Sequence, residues 1–154
     1  MLSLSGCMDS TKFGDSYKYS FLDRELSGVI NDKDWNFQTG LVTEAIHEDD
    51  KYLVELYSDN LTDPCDIATE MHGNYVSFYI PMYRGVYVLD FSLFGESQTV
   101  SLFDREYDLM FSASKGAIEI TELDSINGIL SGRIDAYIDT ETNINGWFSA
   151  KICE

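Results

Sequence analysis

Basic residues are scarce in this chain of 154 residues. It contains ten lysines and arginines but 27 aspartates and glutamates, which gives a formal net charge of −17 at pH 7. Because nucleic-acid phosphates and anionic lipid headgroups are also negative, we expect no binding to DNA or RNA and no electrostatic adhesion to membranes. Such a charge fits a soluble protein with an acidic surface, or one with a basic partner.

Long apolar runs and histidine are also scarce. No stretch of about 20 apolar residues is present, so the sequence predicts no transmembrane helix. The two histidines, His47 and His72, lie in predicted turns and are too few for a catalytic triad or a zinc site. Neither a Gly-x-Ser-x-Gly motif nor a glycine-rich phosphate loop occurs. We therefore expect no cofactor and no catalytic activity.

Aromatic residues, by contrast, make up 14% of the chain, and they favour β-strands. Between residues 130 and 152 apolar and polar residues alternate with a period of two, with a polar break at residues 140–143. This pattern predicts a hairpin of two half-buried antiparallel strands. The side chains predicted to face inward together are Leu130, Ile134, Ile138, Ile144, Phe148 and Ile152.

Further strand patterns precede this hairpin, about nine or ten strands in all, with short connections and no amphipathic helix of about ten residues. One helical turn at residues 67–71 is an alternative to irregular structure there. Residues 86–93 are almost continuously apolar, which predicts a central strand covered on both faces. The alternation of apolar and polar residues changes phase near Gly40, which predicts a bend or β-bulge there. Residues 17–154 are thus predicted to form a single all-β domain, an antiparallel sandwich or barrel.

The residues Leu4-Ser5-Gly6-Cys7 resemble the lipobox of bacterial lipoproteins, in which the cysteine becomes the lipidated first residue of the mature chain. The resemblance implies that Cys7 carries a lipid anchor and that residues 1–16 are the rest of a signal peptide followed by a flexible tether. A signal peptide needs a basic segment and an apolar segment of about 7–15 residues. Because the residues before Cys7 include neither, we expect the full gene to encode a longer leader.

The chain has three cysteines, so at most two of them can form an intramolecular disulfide. If Cys7 is lipidated, the remaining two are Cys65 in the longest irregular stretch and Cys153 at the end of the last strand. We predict a disulfide between them, formed in an oxidising compartment. Two unrelated free thiols are the alternative.

Two further stretches resemble a Bacteroidetes-type group of exported lipoproteins of unknown function. Residues 28–35 (GVINDKDW) are similar to the opening G-x-I-N-G-K-x-W of those domains, with Asp32 in place of the glycine. Residues 128–132 (GILSG) and 144–148 (INGWF) are similar to their closing hairpin. The resemblance implies an exported, membrane-tethered β domain at the outer membrane, at the cell surface or in the periplasm, and it implies no reaction.

Several aromatic residues are not needed for the predicted core and are the candidate ligand-binding residues. Aromatic rings exposed on a strand face stack against sugars or anchor proteins. In a two-layer sandwich, the alternative is that such rings are buried or cover a sheet edge. The set comprises Tyr75, Tyr79, Tyr83, Tyr87, Tyr137 and Trp147.

Acidic residues are so frequent that a pair of them identifies no site. Asp59, Asp63 and Asp66 lie in one predicted loop and are weak candidates for Ca²⁺ ligands, with a solvated acidic loop as the alternative. Their spacing does not match an EF-hand, and we expect no metal site.

Together these patterns predict a lipid-anchored or secreted β-sandwich binding module of the bacterial cell envelope. Its expected partner is a protein or glycan of the envelope, and its expected contact with the membrane is the lipid anchor alone. One alternative is a calycin-like barrel that carries a small apolar ligand in an internal cavity. A second alternative is a glycoside hydrolase with a pair of facing carboxylates.

Overall fold

The computed structural model describes residues 17–48, 50–66 and 70–154, so the predicted tether at residues 1–16 lies outside the described residues. Within these ranges all regular structure is β, which confirms the predicted all-β class. No helix in these ranges is long and apolar enough to cross a membrane. The eleven strands are β1 (Ser27–Ile30), β2 (Lys33–Asn36), β3 (Thr39–Glu44), β4 (Lys51–Tyr57), β5 (Tyr75–Pro81), β6 (Gly85–Val88), β7 (Val100–Asp104), β8 (Leu109–Ala113), β9 (Lys115–Asp124), β10 (Ile129–Asp139) and β11 (Thr142–Ile152).

All eleven strands belong to one strongly curled sheet with the shape of a half-barrel. The strand order is β6-β9-β10-β11-β3-β4-β5-β7-β8, and the β1–β2 hairpin pairs with β11. The pairing of β11 with β3 is parallel and involves only Lys151 with Leu41 and Ile152 with Val42. The other strand pairs are antiparallel, so the sheet is mixed rather than purely antiparallel.

The final hairpin forms as its alternating pattern predicts, with β10 antiparallel to β11. Gly132 lies opposite Phe148 in this pair, and a Cβ at Gly132 would meet the Phe148 ring at 3.0 Å. Glycine at this position therefore lets the aromatic ring pack directly on the neighbouring backbone. The six residues predicted to face inward all join the core: Leu130, Ile134, Ile144 and Phe148 are buried, and Ile138 and Ile152 are partly buried against them.

The apolar run at residues 86–93 is not the central strand that its composition predicts. It begins in β6, which lies at one end of the strand order, and it continues into the loop after that strand. Val86 is 47% exposed and Val88 is 57% exposed, while Tyr87 packs against the core. An uninterrupted apolar run is typical of a strand covered on both faces, but here the outward-facing valines have no covering layer.

The run that contains Gly40 is two strands rather than one bent strand. β2 ends and β3 begins on either side of Phe37 and Gln38, so the chain changes direction before Gly40. The backbone N–H of Phe37 donates to the carbonyl of Leu26, and that of Gln38 donates to the carbonyl of Tyr57. These bonds satisfy the backbone at the break between the strands.

Large side chains fill the inside of the curled sheet. Phe78 of β5 meets Phe148 of β11 edge to face, with ring centroids 6.0 Å apart. Trp35 of β2 is buried in the same core and donates its Nε1–H to the carbonyl of Asn74 at 2.7 Å, which satisfies its polar atom. A packed interior of this kind does not favour the calycin-like alternative, which requires an internal apolar cavity.

Candidate functional site

The candidate aromatic residues lie in three separate places. Tyr137 and Trp147 lie on the outer face of the final hairpin, where the chain segment before β1 covers them. Tyr75 belongs to a row of stacked rings on β4, β5 and β7. Tyr79 and Tyr83 are exposed near the β5–β6 connection, where Tyr87 packs against the core and donates its hydroxyl proton to the Tyr83 carbonyl. The structure therefore does not bring the predicted set together into one binding face.

The segment that covers the outer face comprises residues 17–26, which we call the N-terminal strap. At its start the Tyr17 hydroxyl donates a 2.6 Å hydrogen bond to the buried carboxylate of Asp135, and the Tyr17 ring stacks on Tyr137 with centroids 5.2 Å apart. The amide of Ser20 donates to the same carboxylate at 2.9 Å. Burial, and then the hydrogen bond to Asp135, raise the pKa of Tyr17, so its hydroxyl stays protonated and acts as a donor.

The second half of the strap holds the aromatic ring of Trp147. The Arg133 guanidinium lies 4.5 Å from the ring centroid of Phe21 and 5.1 Å from that of Trp147, and its Nε bonds Glu119 at 2.6 Å. The Trp147 indole N–H donates to the carboxylate of Asp23 at 3.0 Å. Because these contacts occupy Trp147 and its neighbours, the rings here hold the strap and are not free for a ligand.

A row of three stacked rings lies on β4, β5 and β7. Tyr75 stacks on Tyr57 at 5.4 Å and on Phe103 at 4.4 Å, and the Arg105 guanidinium lies 4.6 Å from the Tyr75 ring centroid. Tyr57 is buried and donates its hydroxyl proton to Glu55 at 2.6 Å. Burial, and then this hydrogen bond, raise the pKa of Tyr57. The faces of Tyr75 are thus occupied, and the row presents Arg105 to solvent rather than a free ring.

Beside this row lies an open groove of about 460 Å³ at one end of β4. β2, the segment between β4 and β5, and the β7–β8 turn form its walls. Arg105 is exposed in this groove, and its guanidinium lies over the Tyr75 ring. The lining side chains are Lys33, Asp34, Trp35, Ser58, His72, Asn74, Arg105 and Glu106, together with Gly73.

One wall of the groove is fixed by the buried carboxylate of Asp104 at the start of the β7–β8 turn. It accepts hydrogen bonds from Asn31 Nδ2 at 2.8 Å, from Lys33 Nζ at 3.2 Å and from the Glu106 amide at 3.0 Å. Burial alone would raise the pKa of Asp104, but the bonds from Asn31, Lys33 and the Tyr107 amide outweigh it and hold the pKa below its usual value. Lys33 is also paired with Glu106 at 2.6 Å.

The groove can therefore bind a polar group without supplying an obvious catalytic one. Lys33 is neutralised by two carboxylates, and His72 lies 3.4 Å from Glu70, so Arg105 is the cation most available to a ligand. His47 is exposed in the β3–β4 connection, at the opposite end of β4 from His72. Sequence reasoning missed this groove because its residues come from three distant segments, none of which forms a motif.

The predicted disulfide between Cys65 and Cys153 is present, with Cα atoms 5.5 Å apart. It joins the segment between β4 and β5 to the residue after β11. The proposed helical turn at residues 67–71 in this segment includes residues 67–69, which lie outside the described residues. A disulfide fits an oxidising compartment.

Two acidic residues of this segment, Asp59 and Asp63, accept hydrogen bonds from its backbone. Asp59 accepts from the amides of His72 and Gly73, and Asp63 accepts from the amide of Cys65. The amide of Asp66 donates to the Asp63 carbonyl. Over residues 17–48, 50–66 and 70–154, no three histidine, cysteine or acidic side chains are grouped so that they could hold a metal ion.

A second surface, which sequence reasoning also missed, carries several strongly exposed apolar side chains. Phe94 is fully exposed, Ile46 is 91% exposed and Leu93 is 78% exposed. They lie in the connections that follow β3 and β6, and an exposed apolar residue in a loop looks in the sequence like part of a core strand. We call this surface the apolar end; its residues are Ile46, Tyr79, Tyr83, Phe91, Leu93 and Phe94.

No family model, curated protein or solved structure matches this chain.

Proposed function

We propose that the chain is an exported domain, anchored to a membrane by a lipid on Cys7, that binds a protein or glycan of the cell envelope and catalyses no reaction. The observation that carries the binding role is the groove beside Arg105. Its walls are held by the Asp104 hydrogen bonds and by the stacked rings, so it is preorganised for a ligand. The Cys65–Cys153 disulfide supports export.

Arg105 and His72 are the groups that we expect to contact the ligand. A charge-assisted hydrogen bond from an arginine contributes more to binding than a bond between neutral groups. The ligand is therefore expected to present a carboxylate or a cluster of hydroxyl groups to this end of β4. A glycan of the envelope, or a loop of an envelope protein with a single carboxylate, has this chemistry, whereas the net charge of −17 would repel a strongly acidic partner.

The test is binding to an array of envelope glycans and to a panel of purified envelope proteins. Arg105→Ala combined with His72→Ala should weaken binding by about tenfold or more. The matched control is Arg84→Ala, because Arg84 is also exposed but lies in the β5–β6 connection, at the other end of β5 from the groove. Binding that Arg84→Ala weakens as much as the double variant would contradict the assignment of the groove.

The anchor is tested separately with the full gene expressed in a bacterium that is fed labelled palmitate. The protein should be labelled, and Cys7→Ser should abolish the label. Label that persists in Cys7→Ser, or that never forms, contradicts the anchor and leaves the groove experiment unaffected.

A further inference from the structure

The apolar end is built from three connections that lie next to each other. A cavity between the β3–β4 and β5–β6 connections is lined by Ala45, Glu48 and Tyr83. A second cavity is lined by Glu48, by Tyr79 and by residues 95–99 of the β6–β7 loop. The three connections, which carry the exposed apolar side chains, therefore lie next to each other at one end of β4 and β5. Grouped exposed apolar residues of this kind mark an interaction surface.

The β6–β7 loop holds its apolar tip away from the core. Asp90 and Gln98 exchange two backbone hydrogen bonds at 2.8 and 2.9 Å, which close the base of the loop. Inside the loop the Ser92 amide donates to the Ser97 hydroxyl at 2.8 Å, and Gln98 Nε2 donates to the Tyr79 carbonyl at 2.8 Å. Because these bonds close the base of the loop, Leu93 and Phe94 lie in a tip that is exposed and away from the core.

Tyr17, the first residue that the structure describes, lies beside this loop. A cavity at the start of the N-terminal strap is lined by Tyr17 and Tyr19 together with Val88 and Asp90. Asp90 is also the residue that closes the base of the loop. Cys7 precedes Tyr17 by ten residues, so it lies no more than about 35 Å from Tyr17 even in a fully extended chain. A lipid on Cys7 would keep this side of the domain close to the bilayer.

We propose that the apolar end contacts the lipid bilayer, with Leu93 and Phe94 entering the interfacial region. The proposal rests on the proposed lipid anchor for the orientation of the domain, and it adds a second point of contact to the anchor. An apolar contact would add its own buried area to the membrane affinity that the lipid anchor supplies. Because the chain carries a net charge of −17, the surface should prefer electrically neutral lipid to anionic lipid.

This orientation has a consequence for the groove beside Arg105. β4 runs from Lys51, next to the apolar end, to Tyr57, next to the groove. Its seven residues span about 20 Å at the usual rise of a strand. The groove would therefore face away from the bilayer and remain open to a ligand of the envelope.

The experiment measures flotation of the full chain carrying Cys7→Ser, which cannot be lipidated at this position, with phosphatidylcholine vesicles at millimolar lipid. This protein should bind the vesicles, and Leu93→Ser and Phe94→Ser should each lower the partition coefficient by about tenfold, as expected for withdrawing a large apolar side chain from lipid. Vesicles with added phosphatidylserine should bind less protein. Ile126→Ser is the matched control, because Ile126 is also strongly exposed, at 94%, but lies in the β9–β10 turn. The β6–β7 loop begins at the other end of β9, where the Leu89 amide donates to the Gly116 carbonyl.

No binding to phosphatidylcholine, or binding that is the same in Phe94→Ser and Ile126→Ser, would overturn the proposal. Sedimentation velocity of the same proteins without lipid tests the alternative, in which a second copy of the chain binds the apolar end. A dimer that Phe94→Ser dissociates would also overturn the proposal, because the apolar end would then be an interface between copies. Since Cys7 is absent from this experiment, its outcome is independent of the palmitate result.

Discussion

Two parts of the surface carry aromatic side chains outside the core, and they differ in what covers them. On the outer face of the final hairpin, Tyr137 and Trp147 lie under the N-terminal strap, and Asp135 beside them is buried and hydrogen-bonded. At the apolar end, Leu93 and Phe94 are held out by a closed loop and are largely or fully exposed.

The difference shows which exposed apolar residues indicate binding. Rings on the hairpin face resemble a ligand-binding stripe in the sequence, yet the chain itself covers them with residues 17–26. The residues of the apolar end lie in connections, apart from Tyr79 in β5, and their side chains are exposed. Covered rings contribute to the stability of the domain, whereas uncovered rings are available to another surface.

The largest effect on stability should come from removing the disulfide, which joins the segment between β4 and β5 to the end of β11. Cys65→Ala combined with Cys153→Ala removes the covalent link between two residues that are 88 positions apart in the sequence. In the chain-entropy model the loss in unfolding free energy is about 4–5 kcal/mol. Urea denaturation of the double variant measures this value, and a loss below about 1 kcal/mol would contradict the chain-entropy estimate.

Phe148→Ala should cost about 3–5 kcal/mol, because it removes a buried ring from the core between β5 and β11. Tyr137→Ala on the opposite face should cost less, since that ring is only partly buried and packs on Tyr17. Both values come from chemical denaturation. Equal costs would mean that the strap contributes as much to stability as the core does.

These two predictions also show what the sequence could and could not reveal. Alternation with a period of two identified the inward face of the final hairpin, because one side of the strand must be buried. The remaining pair of cysteines identified the disulfide. The prediction of a central strand at residues 86–93 was wrong, because an apolar composition does not distinguish a covered strand from an edge strand followed by an exposed loop. The groove could not be predicted, since Lys33, His72 and Arg105 are brought together only by the fold.

The N-terminal strap should contribute a moderate amount to the free energy of unfolding. Tyr17→Phe removes the hydroxyl that donates to Asp135, which leaves a buried carboxylate with one fewer partner. The expected cost is about 1–3 kcal/mol of unfolding free energy. Tyr19→Phe is the matched control, because Tyr19 belongs to the same strap but is 41% exposed. If both variants lose the same stability, the Asp135 bond does not hold the strap.

The smallest effect on stability should come from the apolar end. Phe94→Ser replaces a fully exposed side chain, so the unfolding free energy should change by no more than about 0.5 kcal/mol. Thermal denaturation checks this value against that of Phe148→Ala. A loss of several kcal/mol would show that Phe94 packs against the domain and is not available to lipid.

Hydrogen exchange of the lipidated full chain, free and bound to phosphatidylcholine vesicles, shows which end of the sheet contacts the bilayer. Membrane binding should slow exchange of the amides in the β6–β7 loop and in the β3–β4 connection. Exchange in the β7–β8 turn beside the groove should remain unchanged, because that turn lies at the other end of the sheet. Protection of the β7–β8 turn in place of the β6–β7 loop would contradict the account.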